Sequence, residues 1–110
     1  MHKNAELRNE LSRLFGTQQG NIEKASACLK VLAHSSRLQI LCALKHGEQT
    51  VQDLEYLTGI RQTTLSQHLS LLKSREVLAS RREANYSYYR NANDRKLELF
   101  NLVQDIFYEW

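Results

Sequence analysis

The sequence lacks a long apolar run, a secretory signal and a catalytic motif. None of its 110 residues lies in an apolar stretch approaching the roughly 20 residues of a membrane-spanning helix. The charged, polar start MHKNAELRNE is unlike a secretory signal. The chain also contains no G-x-S-x-G sequence, phosphate loop or HExxH. We therefore expect a cytoplasmic protein that is not an enzyme and does not associate with membranes.

Cysteine and histidine are few and dispersed. The only two cysteines, Cys28 and Cys42, do not form a CxxC pair, and without an export signal they are expected to stay reduced. The four histidines are scattered along the chain, and exposed or capping roles explain them better than shared ligation does. The sequence therefore predicts no metal site and no cofactor.

Positive charge is concentrated in one part of the chain. Residues 61–96 hold eight Lys or Arg against three Asp or Glu, whereas residues 97–110 hold three acidic residues and no basic ones. Basic side chains in one region suit neutralisation of phosphates, although a solvated surface without a partner explains the charge alone equally well. With 42% hydrophobic residues, the chain fits a single domain spanning residues 1–110.

The segment TTLSQHLSLL, residues 63–72, has two different faces when placed on a helix. Leu65, Leu69 and Leu72 fall on one stripe, whereas hydroxyls and one amide fall on the opposite side. The first face can anchor a helix in a core. The second face carries almost no formal charge and suits hydrogen bonding to base edges and phosphates in a DNA groove. We interpret this segment as a recognition helix.

The residues before this segment predict four helices. The first helix runs from Ala5 to Phe15 and stops at Gly16, and residues 16–20 form a connector. The second helix runs from Asn21 to about His34. The third begins at Ser35 or Ser36 and ends at residues 46–47.

A short helix precedes the recognition helix. Thr50 begins TVQD, which resembles a capping box, and the helix that it opens ends near Leu57. A turn at Thr58-Gly59-Ile60 follows, and two helices joined in this way form a helix-turn-helix. Short helix pairs with leucine stripes also occur in ordinary helical bundles, so a bundle that does not bind DNA is the alternative interpretation of this pair.

The segment VLASRREANYSYYR, residues 77–90, predicts a β-hairpin with a break at residues 83–85. A hairpin after a helix-turn-helix is a wing, whose arginines could reach a phosphate backbone or a minor groove. For Tyr88 or Tyr89, ordinary strand packing is the alternative. The predicted DNA contacts on helix and wing are Gln62, Thr63, Thr64, Ser66, Gln67, His68, Ser70, Arg81, Arg82, Asn85 and Tyr86.

The last predicted helix, residues 93–108, is apolar on two sides. One side carries the apolar residues at positions 97, 100, 103 and 107, and the other carries Leu99, Leu102 and Ile106. The second side predicts a two-fold dimer interface, joined by the first helix, whereas a fully internal helix is the alternative. The fold class is therefore mainly α with a small β-hairpin, a dimeric winged helix-turn-helix in which residues 1–20 and 93–110 flank the DNA-binding part.

Three segments together resemble the ArsR/SmtB family of bacterial winged-helix repressors. They are LKVLAHSSRLQILCAL, TTLSQHLSLLKSREVLASRRE and ANYSYYR, and the resemblance covers residues 22–110. It is nearest the branch that contains HlyU and BigR. The resemblance implies a homodimeric repressor that binds double-stranded DNA at an inverted-repeat operator. A winged-helix module that binds a protein partner is the alternative from another functional class.

The sequence departs from the family pattern at three places. Ser35 stands where a proline is usual, and Arg61 stands where many members have a serine that caps the recognition helix. The family's metal sensors use a cysteine motif where this chain reads VQDL, or a His/Asp set in a terminal helix that here contains no histidine. The usual metal sites are therefore expected to be absent.

The resemblance also raises the question of a thiol switch. Sulfide and oxidant sensors of this branch pair a cysteine at the position of Cys42 with a second one near the end of the terminal helix. Here that region reads IFYEW, which leaves Cys28 as the only partner. Two interpretations stay open: a small buried apolar residue, or a bridge between Cys28 and Cys42 that releases DNA.

Overall fold

A computed structural model describes residues 2–92 and 94–107, which form five helices and three short strands. The chain divides into two compact units, Met1–Leu32 and Ala33–Trp110. The first unit holds α1 and the second holds the remaining elements. In chain order the elements are α1 (His2–Leu32), α2 (Ser35–Ala43), β1 (Gln49–Thr50), α3 (Val51–Thr58), α4 (Gln62–Ser74), β2 (Leu78–Glu83), β3 (Tyr86–Asn91) and α5 (Asp94–Ile106).

The first unit is one continuous helix of 31 residues. The predicted stop at Gly16 and the predicted connector over residues 16–20 are therefore wrong. The glycines with positive φ in the described chain are Gly47 and Gly59, so Gly16 and Gly20 keep ordinary helical geometry. A glycine inside a helix costs about 1 kcal/mol relative to alanine, which weakens a long helix without ending it.

Helix α2 begins at Ser35, which is one of the two predicted starts. His34 is the N-cap, with extended backbone, and its Nδ1 accepts a hydrogen bond from the Ser36 N–H at 3.2 Å. The helix ends at Ala43, and a turn then leads to Gly47. Gly47 has a φ of 151°, a conformation that glycine adopts without steric strain.

The core of the second unit is built mainly from leucines on its helices and on the first wing strand. Each fully buried side chain of this type contributes about 1.5–3 kcal/mol relative to exposure, so the core joins α2, α3, α4 and α5 to the start of β2. Its most buried members, each at most 4% exposed, are Ile40, Leu41, Leu44, Leu54, Leu65, Leu69, Leu72, Val77, Leu78 and Phe100.

The three strands form one antiparallel sheet in the order β1-β3-β2. The hairpin β2–β3 confirms the predicted wing, and Glu83 pairs with Tyr86 across a two-residue turn. Ala84 in that turn has a φ of 54°, because two-residue hairpin turns require left-handed backbone. Strand β1 was not predicted, since two residues carry no alternating pattern that could reveal a strand.

The terminal helix α5 ends at Ile106, two residues before the predicted end. Asn93 and Tyr108, the predicted ends of this helix, lie outside the described residues. Across residues 2–92 and 94–107, no helix combines the length and apolar character needed to cross a membrane.

Candidate nucleic-acid interface

Helices α3 and α4 form a helix-turn-helix whose ends are fixed by local hydrogen bonds. Thr50 Oγ1 accepts from the Asp53 N–H, and Asp53 Oδ2 accepts from the Thr50 N–H, both at 3.1 Å. This is the predicted capping box. Gly59, with a φ of 73°, ends α3 and donates its N–H to the Glu55 carbonyl at 2.8 Å. The turn between the helices is therefore set by the residues that the sequence predicted.

The turn is also held by one side chain. Thr58 Oγ1 donates to the Leu54 carbonyl at 2.6 Å and accepts from the Ile60 N–H at 3.2 Å. Arg61 is the N-cap of α4 and makes no side-chain capping bond. The guanidinium is therefore not used to start the helix, and Arg61 is exposed beside the N-terminus of α4.

Helix α4 separates an apolar face from a polar one. Leu65, Leu69 and Leu72 are 0% exposed, which anchors the helix in the core. All but one of the DNA contacts predicted on this helix are exposed, namely Gln62, Thr63, Thr64, Ser66, Gln67 and Ser70. Hydroxyls and amides of this kind can hydrogen-bond base edges and phosphates, and a glutamine can pair bidentately with adenine.

His68 lies on the other side of α4, contrary to its prediction as a DNA contact. Its side chain is buried, with 9% of the residue exposed. Its Nδ1 accepts a hydrogen bond from Arg37 Nε at 3.2 Å, and its ring meets the ring of His34 edge-on with centroids 4.7 Å apart. His68 therefore contacts α2 rather than solvent, and we remove it from the candidate DNA contacts.

The two wing arginines have different surroundings. Arg81 Nε bonds Glu48 at 2.9 Å, Arg81 Nη1 bonds Glu83 at 2.6 Å, and its guanidinium lies 4.5 Å from the centre of the Tyr88 ring. The Glu48 and Glu83 carboxylates raise the pKa of Arg81 above its ordinary value. Arg82 points to the opposite face of the strand, because successive strand residues alternate, and it is exposed.

The tip of the wing is open to solvent, since Asn85 and Tyr86 are both exposed. Tyr88 and Tyr89 are half-buried, and they pair with Thr50 and Gln49 of β1. The alternative of strand packing therefore describes both of these tyrosines. Asn85 and Tyr86, at the exposed tip, stay predicted DNA contacts.

Helix α5 is tied to the elements that carry this surface. Lys96 Nζ donates to the carbonyl of Arg75, the C-cap of α4, at 2.7 Å. Lys45 Nζ, after α2, donates to Gln104 Oε1 at 2.8 Å. Phe100 faces the core and is 2% exposed, whereas Leu102 and Ile106 are 58% and 64% exposed. Leu99 is half-buried. The helix thus presents an uncovered apolar side.

The two cysteines are free thiols on different units of the structure. Each is half-buried. Cys42 lines an open pocket of about 490 Å³ that is formed by Gln39, Cys42, Ala43, Leu57, Thr58 and Gln104. A bridge between Cys28 and Cys42 stays a prediction.

Comparison with known proteins identifies the family. Residues 34–79 match the model of the bacterial regulatory protein, arsR family. The chain is 43% identical over 79 residues to the biofilm growth-associated repressor of Agrobacterium fabrum, covering 72% of this chain and 68% of that protein. The chain belongs to the ArsR family of bacterial regulatory proteins.

Solved structures of other ArsR-type proteins share the fold. Reduced HlyU from Vibrio cholerae has a TM-score of 0.76 and 31% identity, covering 83% of this chain and 96% of that one. The homodimeric winged helix-turn-helix DNA-binding domain of a possible ArsR-family regulator from Mycobacterium bovis has a TM-score of 0.77 and 37% identity, covering 84% and 85%. The predicted family, branch and winged helix-turn-helix fold are confirmed, as is the predicted role in transcriptional regulation.

Some residues of this ArsR-type surface could not be found from the sequence. Arg37 is 31 positions from His68, and Glu48 is 33 positions from Arg81. Neither spacing belongs to a helix or a hairpin, so no local pattern indicates the pairing. Arg61 could be found, because its charge stands where a capping serine is usual in the family.

Proposed function

We propose that this ArsR-family chain is a homodimeric, sequence-specific regulator that binds double-stranded DNA at an inverted-repeat operator. The observation that carries the proposal is the exposed face of α4, where hydroxyls and the Gln67 amide project opposite leucines that are 0% exposed. Such a face suits direct contact with base edges in a major groove. Similarity to a DNA-binding domain from M. bovis supports it.

The dimer is proposed to form through the uncovered side of α5. Leu102 and Ile106 are more than half exposed there, and Leu99 lies on the same side. A two-fold axis would bury this stripe against its own copy, and the related M. bovis domain is homodimeric. Two α4 helices related in this way would enter successive major grooves, with half-sites about 10 base pairs apart.

The regulator is proposed to act as a repressor in the cytoplasm, where bacterial DNA lies, and to catalyse no reaction. The A. fabrum relative is a repressor, whereas HlyU of V. cholerae is a transcriptional activator. A reporter gene placed after a bound duplex distinguishes the two directions. Lower transcription in the presence of the protein is expected, and higher transcription would make it an activator.

The test of DNA binding is selection of bound duplexes from a random pool, followed by titration across salt. Enrichment of an inverted repeat is expected, with affinity that falls steeply as salt rises because phosphate contacts release counterions. A shuffled duplex of the same composition is the control. Failure to enrich any sequence, with weak binding that does not respond to salt, would favour the protein-interaction module instead.

A further inference from the structure

His34, Arg37 and His68 form a small group, here called the histidine cluster, between the start of α2 and the buried side of α4. Arg37 Nε donates to His68 Nδ1 at 3.2 Å, and the two imidazole rings meet at 4.7 Å with their planes inclined by 62°. His34 in turn caps α2 by accepting from the Ser36 N–H. The cluster therefore joins the helix that carries the exposed polar face to the capped end of another helix.

Both hydrogen bonds of the cluster require an unprotonated nitrogen. A neutral imidazole has one acceptor nitrogen, whereas an imidazolium donates from both nitrogens. A protonated His68 can no longer accept from Arg37, and it would instead bring a second positive charge against the guanidinium. The hydrogen bond from Arg37 thus holds only while His68 is neutral.

Building on the proposed function, we propose that neutral His68 is a positioning residue that fixes α4 for sequence-specific DNA binding, and that its protonation weakens this binding. His68 follows Gln67 directly in the same helical turn, so a displacement of its ring moves the side chain proposed to contact a base. A misplaced hydrogen-bonding group loses discrimination between bases while the general attraction to phosphates persists.

The sign of the pH dependence follows from the surroundings of His68. Burial, and then the charges of His34 and Arg37, lower the pKa of His68 from its ordinary value of 6.5. A histidine with a lowered pKa in the folded state favours its neutral form there. The ordered arrangement is therefore complete above pH 6.5 and is lost as the pH falls through the lowered pKa.

Charged groups on the other elements packed against α4 have different partners or are exposed. On α3, Asp53 is bonded within the capping box and Glu55 is exposed. On β2, Arg81 pairs with Glu83 and Arg82 is exposed. The charges that act on His68 are those of His34 and Arg37, and both oppose its protonation.

General electrostatics would give the opposite trend. Protonation of histidines adds positive charge, and added positive charge strengthens attraction to the phosphate backbone. Acidification should therefore maintain or tighten binding to a duplex of unrelated sequence. A loss confined to the selected duplex cannot arise from net charge, and this difference makes the proposal testable.

The experiment measures Kd for the selected and unrelated duplexes between about pH 7.5 and about pH 5.5, where histidine changes charge, at constant ionic strength. The native protein should lose affinity for the selected duplex by up to about tenfold per pH unit below the pKa of His68. In His68→Asn the Oδ1 atom replaces Nδ1 as an acceptor that does not titrate at these pH values. The ratio of its affinities at the two pH limits should approach one.

The matched control is His46→Asn, because His46 is an exposed histidine in the turn after α2. This variant should keep the full pH dependence of the native protein. Circular dichroism at each pH verifies that every variant is folded. A native-like loss of affinity in folded His68→Asn would overturn the proposal, as would an equal loss for the unrelated duplex.

A second measurement separates this proposal from the proposed function and does not need DNA. NMR titration of the imidazole protons should give His68 a pKa below 6.5, and Arg37→Met should raise that pKa by removing a neighbouring charge. A native pKa at or above this value, or no response to Arg37→Met, would overturn the cluster itself. If no DNA sequence is enriched but the pKa of His68 is lowered and depends on Arg37, the histidine cluster stands. The proposed function is then refuted, and so is the role of His68 in positioning α4 for DNA.

Discussion

The neighbouring arginines of the wing should contribute differently to DNA affinity. Among the described residues Arg82 is exposed and in no ion pair, whereas Arg81 bonds Glu48 at 2.9 Å and Glu83 at 2.6 Å. The slope of log K against log salt is negative, and each lost phosphate contact reduces its magnitude by about 0.9. With two wings in a dimer, Arg82→Ala should reduce this magnitude by about 1.8. Arg81→Ala should change it little.

Fluorescence anisotropy with the selected duplex, at salt concentrations from about 50 to about 200 mM, gives this slope directly. Arg81→Ala is the matched control, since it removes the same charge from the adjacent position. Arg82→Ala should weaken the selected and the unrelated duplex by similar factors, because phosphate contacts carry no sequence information. The double change Glu48→Gln with Glu83→Gln releases Arg81 and should steepen the slope.

Equal changes in slope for the two arginine variants would refute this reasoning. They would mean that Arg81 leaves both carboxylates when DNA binds, so that its ion pairs describe only the free protein. A steeper loss for Arg81→Ala than for Arg82→Ala would reverse the assignment and place the other face of β2 against the backbone.

Three further predictions concern other parts of the molecule. Gln67→Ala should weaken specific binding by about 1 to 3 kcal/mol and relax one base preference; unchanged binding to single-base variants of the duplex would remove Gln67 from the contact. Leu102→Glu should give monomers with reduced affinity, whereas sedimentation as a dimer would place the interface elsewhere. Polysulfide should link Cys28 to Cys42 and release DNA from the native protein but not from Cys42→Ser; equal affinities and an unchanged mass would end the thiol switch.

Local sequence patterns predicted the elements whose ends are fixed by neighbouring residues. Thr50 and Asp53 are three positions apart and satisfy each other's backbone, and Gly59 alone can supply the turn after α3 without strain. The same kind of argument failed at Gly16, because a glycine permits a helix stop without requiring one.

The candidate site was predictable where periodicity alone decides which side of a helix faces outward. The leucine stripe of α4 fixed the exposure of Thr63, Ser66 and Gln67. Periodicity also places His68 beside Leu72, but it cannot show that Arg37 lies across from it. The ion pair of Arg81 with Glu48 could not be predicted either. Glu48 precedes α3 in the chain, and its pairing with Arg81 depends on how β1 joins the sheet.

The outward face of α4 bears hydroxyls and an amide, while the arginines lie beside it on the turn and wing. Exchange of Thr63, Ser66, Gln67 or Ser70 for another uncharged polar residue would leave the net charge of +3 and the packing of the leucines unchanged. Descendants of such a protein could therefore acquire new target sequences one substitution at a time, while keeping the leucine core that holds the helix and the charge that attracts the phosphates.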